Sequence, residues 1–446
     1  MSPKRSTTAV IALCWVAIVF DGYDLIVYGT IVPSLLAEPS WDLSASEAGR
    51  IGSWALVGML IGALVVGSIT DIVGRRRIMI ACIVLFSTMM GLCALATGPT
   101  MLGALRFVAG LGLGGVVPTA SALTIEYARR ERRHLTYSLM FSGYAIGGVI
   151  AAALALEVIP SAGWRTMFAI GIAPIFIVVP LCWRYLPESP AYLLARGRRE
   201  EAEALIDTYG LDRADEVDGS QPAPGMAAVR ALVSPPNLAA TLLFWGASFL
   251  GLLLIYGLNT WLPQIMREAG YDLGSALSFL LALNLGAVVG TAVAAWIADR
   301  RGLKPVSVVA FLAATVTIGA LAFEPSLPAI YALLAVAGVG TIGTQILVNA
   351  YVGSYYPAGM RATALGWSLG VGRLGAIVGP TLGGYLLDSE LGVDVNFWVF
   401  AAAGLLGAVL MALIPAKDTA PIARVATDRF TRRSADAEPG QLTRRS

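Results

Sequence analysis

Long apolar runs separated by short polar clusters dominate this chain. With about 20 apolar residues taken as one bilayer crossing, the pattern predicts twelve helices. Six fall near 9–37, 47–71, 78–97, 99–125, 134–158 and 164–186, and six near 237–264, 274–298, 304–323, 327–351, 361–387 and 395–415. The interval 187–236 is polar. Its front part, SPAYLLARGRREEAEALIDTYG, has helical spacing, and its back part, DEVDGSQPAPG, reads as a flexible link. The tail 416–446 is polar, Arg-rich and expected to be disordered. The expected division is therefore a six-helix bundle at 1–186, a central loop at 187–236, a second bundle at 237–415 and the tail. The fold class is all-α integral membrane.

Composition agrees with that class. The chain is 57% hydrophobic and 13% charged, against about 25% charged in soluble domains. Charge distribution sets the orientation. Of the 31 Lys and Arg, all but five fall in segments on one side of the twelve spans. The exceptions are Arg50, Arg165 and Arg267 in loops on the other side, and Arg106 and Arg373 inside spans. Excess positive charge marks the cytoplasmic side, so both termini are expected inside. No cleavable signal is evident, because the apolar run after Lys4 and Arg5 is too long and no small-residue cleavage site follows it. The four cysteines sit in apolar runs with neither disulfide nor zinc spacing.

The two halves echo each other. Laying Asp71 on Asp299 also lays Gly74 on Gly302, Gly110 on Gly338, Arg133 on Arg361, and Tyr28-Gly29 on Tyr256-Gly257. Two related six-helix halves describe a pseudo-symmetric transporter that rocks about a midplane site.

Asp21 and Asp24, in the first span, have no echo; the matching positions are Phe249 and Leu252. A carboxylate at the bilayer centre costs roughly 2.5–3.5 kcal/mol on insertion scales, and residues three apart project from nearly the same face. Desolvation and mutual repulsion oppose holding both acids ionised, which makes the pair a candidate for proton coupling. Arg373, at similar depth in span eleven, offers a planar fork that fits a carboxylate, from substrate or from an aspartate.

The stretch GSITDIVGRRR between spans two and three resembles the GxxxDxxGRRxx signature of the major facilitator superfamily, with an echo at Asp299, Arg300, Arg301 and Gly302. The DGYD at 21–24 resembles the DGxD motif in the first helix of the aromatic acid:proton symporter family. RFVAGLGLGG and GRLGAIVGPTLGG fit the superfamily as well, whereas LPESPAYLLARGRREEA also resembles sugar porters and organic-ion carriers.

The resemblance implies import of a small aromatic carboxylate of the benzoate or hydroxybenzoate class, driven by a proton gradient, with no other cofactor. Arg106 matches a basic position implicated in proton coupling in many superfamily members, with helix packing as the equal alternative. Tyr23, Tyr28, Phe141, Tyr144, Tyr256 and Trp367 are candidates to sandwich the ring, and Asn259, Asn284, Gln345 and Asn349 are polar groups within the second half. The loop residues Gly67, Asp71, Gly74 and Arg75, paired with acids such as Glu126, are expected to hold an inner gate, with Asp299, Arg300 and Arg301 as counterparts.

GxxxxGK[ST] and HExxH are absent, and no enzymatic activity is expected. His134 reads as a solvated flank residue. The expected molecule is a multi-pass monomer of the bacterial inner membrane, contacting lipid, protons and a small aromatic acid, with no nucleic-acid partner and no metal. A symporter of another organic anion or a sugar-like solute is the alternative; a drug exporter and a transporter-like sensor stand behind it.

Overall fold

The computed structural model describes residues 6–129, 132–211, 225–389 and 391–415, apart from the side chains at 67, 68, 71, 134, 225–228, 358, 359 and 362. Gly67 and the Asp71 side chain of the loop motif, the link 215–224 and the tail 416–446 thus lie outside what is described.

The described residues are helical throughout their ordered elements: α1 (Thr8–Leu36), α2 (Ala45–Val73), α3 (Arg75–Cys93), α4 (Pro99–Tyr127), α5 (Arg133–Ala162), α6 (Trp164–Ile170), α7 (Ala173–Tyr185), α8 (Pro190–Ala195) and α9 (Arg199–Tyr209). There follow α10 (Gly225–Leu232), α11 (Pro235–Glu268), α12 (Leu273–Arg301), α13 (Leu303–Leu321), α14 (Leu327–Gly338), α15 (Thr344–Tyr355), α16 (Ala358–Leu387) and α17 (Asp394–Leu413). Eleven helical stretches among the described residues are long and apolar enough to cross a bilayer. The expected eleventh span falls on the thirty-residue α16, which is not among those eleven.

Two expected spans are interrupted. The sixth breaks between α6 and α7 at Gly171-Ile172, just before Pro174. The tenth contains a π-helical turn at Val339–Gly343. There an added Cβ at Gly338 would lie 1.9 Å from the Leu283 carbonyl and one at Gly340 2.7 Å from Ala314. Helices so close leave no room for side chains, and the extra residue of the π turn is accommodated where the glycines cluster.

Small residues build the contacts elsewhere too. Gly110 and Gly114 of α4 rest on the α2 backbone at Ala55 and Met59, and Gly147 of α5 rests on Val19 of α1. Gly375 and Gly379 of α16 rest on α11 at Phe249 and Leu253. With lipid as apolar as leucine, such close packing supplies the attraction that water-driven burial supplies in soluble proteins.

Gly74 and Gly302, matched in the repeat, share an unusual backbone: φ 106°, ψ 145° and φ 92°, ψ 151°. Each forms the turn into the next helix (α3, α13), a conformation that side chains with a Cβ rarely adopt. The front part of the central loop forms α8 and α9, closed by Gly210 in the left-handed region.

One end of the molecule carries Arg75–Arg77, Arg300 and Arg301, and is called here the basic end. At the opposite end α2 meets α16 and α1 meets α11. The Ser53 hydroxyl donates to the Ile377 carbonyl at 2.6 Å and lies 2.7 Å from the Thr381 hydroxyl. An added Cβ at Gly29 would lie 1.8 Å from the Asn259 carbonyl. The Asp388 carboxylate, just past α16, accepts the free backbone N–H groups of Ala45 and Ser46 at 2.9 and 2.8 Å, filling the N-terminus of α2. This seam is shut. Toward the basic end, Gly366 and Gly370 of α16 have nothing within 4 Å of an added Cβ.

Candidate functional site

The two aspartates of α1 are fully buried and diverge. Positions three apart on a helix differ by about 60° around its axis, enough to send them to different neighbours. Asp24 turns to α4, where Arg106 Nη1 donates to its Oδ1 at 2.7 Å, with both side chains 1% exposed. The Arg106 guanidinium lies 5.5 Å from the Tyr28 ring and 5.9 Å from the Phe168 ring, with Met90 Sδ at 3.8 Å. Asp24 Oδ2 and Arg106 Nε have no hydrogen-bond partner among the described residues. Such a half-satisfied buried pair is a poor way to gain stability. A buried ionisable pair at this depth is a candidate site.

Asp21 faces the seam between the two halves. Neither of its carboxylate oxygens has a hydrogen-bond partner among the described residues. Its electrostatic neighbours are Arg373 of α16 and, on its own helix, Asp24. Tyr144 of α5 and Tyr256 of α11 interact through their hydroxyls and sense both Asp21 and Arg373. Four helices, α1, α5, α11 and α16, thus bring one acid, one base and two phenols within electrostatic reach of one another. No ion pair among the described residues holds Arg373. Its guanidinium keeps donors for a carboxylate, while the phenol rings offer flat faces.

The other expected ring contacts are placed elsewhere. The Tyr23 hydroxyl donates to the Met167 carbonyl at 2.8 Å and that of Tyr28 to the Ala48 carbonyl at 2.6 Å; both rings are buried in packing. Phe141 packs on Tyr137, with ring centroids 5.4 Å apart, one helical turn from Tyr144 toward the basic end. Trp367 stacks on Trp245 at 5.6 Å and is 45% exposed. Tyr23 and Tyr28 are thus committed to packing, and Phe141 and Trp367 have other aromatic neighbours.

At the basic end Arg75 pairs with Glu126. Glycine at the start of α3 offers no side chain to cap it. Glu188 takes that task, its Oε1 accepting the Arg76 N–H at 3.1 Å and the Ser189 N–H at 2.9 Å. The Tyr127 hydroxyl donates to the Glu188 carbonyl at 2.7 Å. The matching loop of the second half differs. Asp299 and Arg301 are exposed, and the Arg300 guanidinium lies 3.7 Å from the centre of the Trp296 ring. Glu188 and Asp388 were not singled out by sequence reasoning. For Glu188 a signal existed in LPESP, directly after an apolar run, whereas nothing local marks Asp388.

Comparison with known proteins agrees with this architecture. The family model described as Major Facilitator Superfamily matches residues 14–368, with a second match over 280–437. The gentisate transporter of Corynebacterium glutamicum is 42% identical over 416 residues, covering 91% of this chain and 87% of that protein. The benzoate transport protein of Acinetobacter baylyi is 39% identical over 417 residues, covering 91% and 89%. The 4-hydroxybenzoate transporter PcaK of Pseudomonas aeruginosa is 32% identical over 411 residues, covering 90% of each. Among solved structures, the xylose transporter XylE from Escherichia coli in a partially occluded inward-open conformation superposes with a TM-score of 0.74 at 18% identity, covering 92% of this chain and all of that one. The likeness to XylE is one of fold alone. With the family model spanning most of the sequence and relatives above 30% identity aligned along nearly their full length, the chain belongs to the Major Facilitator Superfamily.

Proposed function

We propose that this protein imports a small aromatic carboxylate together with protons. The observation that carries the reading is the seam cluster: Asp21 with two unpartnered oxygens, Arg373 across from it without an ion pair, and Tyr144 and Tyr256 beside both. A substrate carboxylate binds the Arg373 fork, and its ring lies against the phenol faces. Asp21 carries the proton. Neutralised, it crosses the closed intermediate at little cost, whereas bare charge in that interior opposes the passage. Arg106 and Asp24 set the field on the other face of α1. The names of the relatives, transporters of gentisate, benzoate and 4-hydroxybenzoate, support this substrate class.

The architecture that goes with this reading is twelve spans in two six-helix bundles, at 1–186 and 237–415, joined by the loop 187–236. The basic end and both termini face the cytoplasm, in keeping with the distribution of Lys and Arg. The bundles rock about the seam, and the shut end described above is the outer gate. The Arg75–Glu126 pair and Glu188 belong to the inner gate. The protein works as a monomer in the bacterial inner membrane.

Uptake of labelled benzoate, 4-hydroxybenzoate, protocatechuate and gentisate, with and without a protonophore, tests the proposal. Protonophore-sensitive uptake of at least one acid, lost in Asp21→Asn and Arg373→Leu at normal membrane levels, is the expected result. Absence of uptake of all four by well-expressed protein would refute it.

A further inference from the structure

One buried polar group near this cluster has no partner. Asn259 of α11 and Asn284 of α12 form an amide pair, 4% and 0% exposed. Asn284 Nδ2 donates to Asn259 Oδ1 at 3.0 Å and to the Leu280 carbonyl at 3.0 Å; Asn259 Nδ2 donates to the Ile255 carbonyl at 2.8 Å. Both N–H bonds of Asn284 therefore have acceptors, while its Oδ1 has no donor among the described residues. A buried amide carbonyl left bare is costly, and such groups in native structures call for a reason.

Its position suggests one. Asn259 lies one turn beyond Tyr256 along α11, away from the basic end, and Gly148 lies one turn beyond Tyr144 along α5. The Asn284 carbonyl rests against Gly148: an added Cβ there would lie 2.5 Å from Oδ1 and 2.7 Å from Ile26 Cδ1. The bare acceptor thus lies about one turn beyond the two phenols, toward the shut side of the seam, and only glycine at 148 leaves it room. In this conformation α5 closes it off; parting of α5 from α12 exposes it.

Chemistry then restricts what can fill it. A second carboxylate brings only acceptors and is excluded. A ring hydroxyl brings a proton and fits. We infer that Asn284 reads a hydroxyl on the substrate ring, at the end remote from the carboxylate, so that the carrier prefers hydroxylated aromatic acids over benzoate itself. This inference rests on the proposed role of Arg373 and Asp21 in taking the carboxylate end. Sites that hydrogen-bond a substrate hydroxyl discriminate strongly against the analogue lacking it, because the buried partner is then left unpaired.

The test uses the full chain, purified and reconstituted in proteoliposomes, with labelled benzoate and its 3-hydroxy, 4-hydroxy and 2,5-dihydroxy derivatives. Wild-type protein is expected to favour at least one hydroxylated acid over benzoate by about tenfold or more in kcat/KM. Asn284→Leu collapses that ratio toward unity. Gly148→Ala, which keeps the amide and covers its carbonyl, does the same and serves if Asn284→Leu fails to fold, as judged by elution profile and thermal melting. Wild-type protein that transports benzoate as well as every hydroxylated acid, or variants that slow all acids equally, would overturn the assignment while leaving the proposed function standing. Failure to transport any aromatic acid would overturn both.

Discussion

Arg106 and Asp24 form a buried ion pair at 2.7 Å, while the carboxylate of Asp21, one turn earlier on the same helix, has no hydrogen-bond partner among the described residues. The two acids of one motif therefore face different arginines, one in direct contact and one not. Asp24 is bound within the first half, and Asp21 looks across the seam to the second. In the proposed function this difference is a division of labour: Asp24 fixes the field and Asp21 exchanges the proton.

Breaking the pair from one side leaves a lone charge in the interior, at a cost of about 3–5 kcal/mol. Asp24→Asn and Arg106→Leu should each lower the melting temperature of the detergent-purified protein and abolish uptake. The double substitution should recover most of the melting temperature and none of the uptake. Equal melting temperatures for all four proteins would show that the pair carries no such burden.

Asp21→Asn removes a carboxylate that no hydrogen bond holds. The variant should melt at or above the wild-type temperature yet lose uphill accumulation driven by a proton gradient. Exchange of labelled for unlabelled substrate across the membrane should persist, because exchange does not require net proton movement. Loss of stability together with exchange would assign Asp21 a structural task instead.

Two glycine contacts of similar tightness should respond differently. An added Cβ at Gly29 meets the Asn259 carbonyl across the seam, and one at Gly147 meets the Val19 carbonyl within the first half. Gly29→Ala should hold the shut end apart, raising labelling of Ser53→Cys by a membrane-impermeant maleimide several-fold. Gly147→Ala should lower thermal stability without raising that labelling. Identical labelling in the two backgrounds would place both contacts in one rigid unit.

Asp388 sets a pH expectation for the same end. Burial opposes its charge, but hydrogen bonds from the Ser46 hydroxyl and N–H, the Ala45 N–H and the Ser44 hydroxyl outweigh that and hold the carboxyl below its ordinary value. A depressed carboxyl favours the shut seam fully above the ordinary value of about 3.9, and that contribution is lost only as pH falls through the lower value. Labelling of Ser53→Cys should therefore stay constant between about pH 5 and 8, whereas Asp388→Asn should raise it throughout. A rise in labelling of the Asp388-containing protein across that range would point to a different latch.

Much of the architecture was legible from the chain because a bilayer leaves little choice. Each crossing must satisfy its own backbone, so it must be a helix of about 20 apolar residues, and such runs can be counted. The repeat was legible for a similar reason: Gly74 and Gly302 sit where the backbone turns at positive φ, and glycine is the residue that tolerates it. The glycine-rich segments of α4 and α16 were readable as close packing because small residues have few other uses inside a membrane. Glycine clustering did not by itself reveal the π turn at Val339–Gly343.

What the chain alone determined, then, was local: where helices run, where they turn tightly, and that two acids and two arginines lie at membrane depth. Tertiary structure decided which of these groups meet. Spacing showed Asp21 and Asp24 on nearly one face and offered Arg373 as the partner of either, yet Asp24 took Arg106, and Arg373 was left facing Asp21. Tyr144 and Tyr256 came to the seam, Tyr23 and Tyr28 turned into packing, and Asp388 reached the start of α2. Helices that are apolar on nearly every side carry little record of their rotation about their own axes. That rotation is set by how the glycine contacts of neighbouring helices fit together, and it fixes where every polar side chain points.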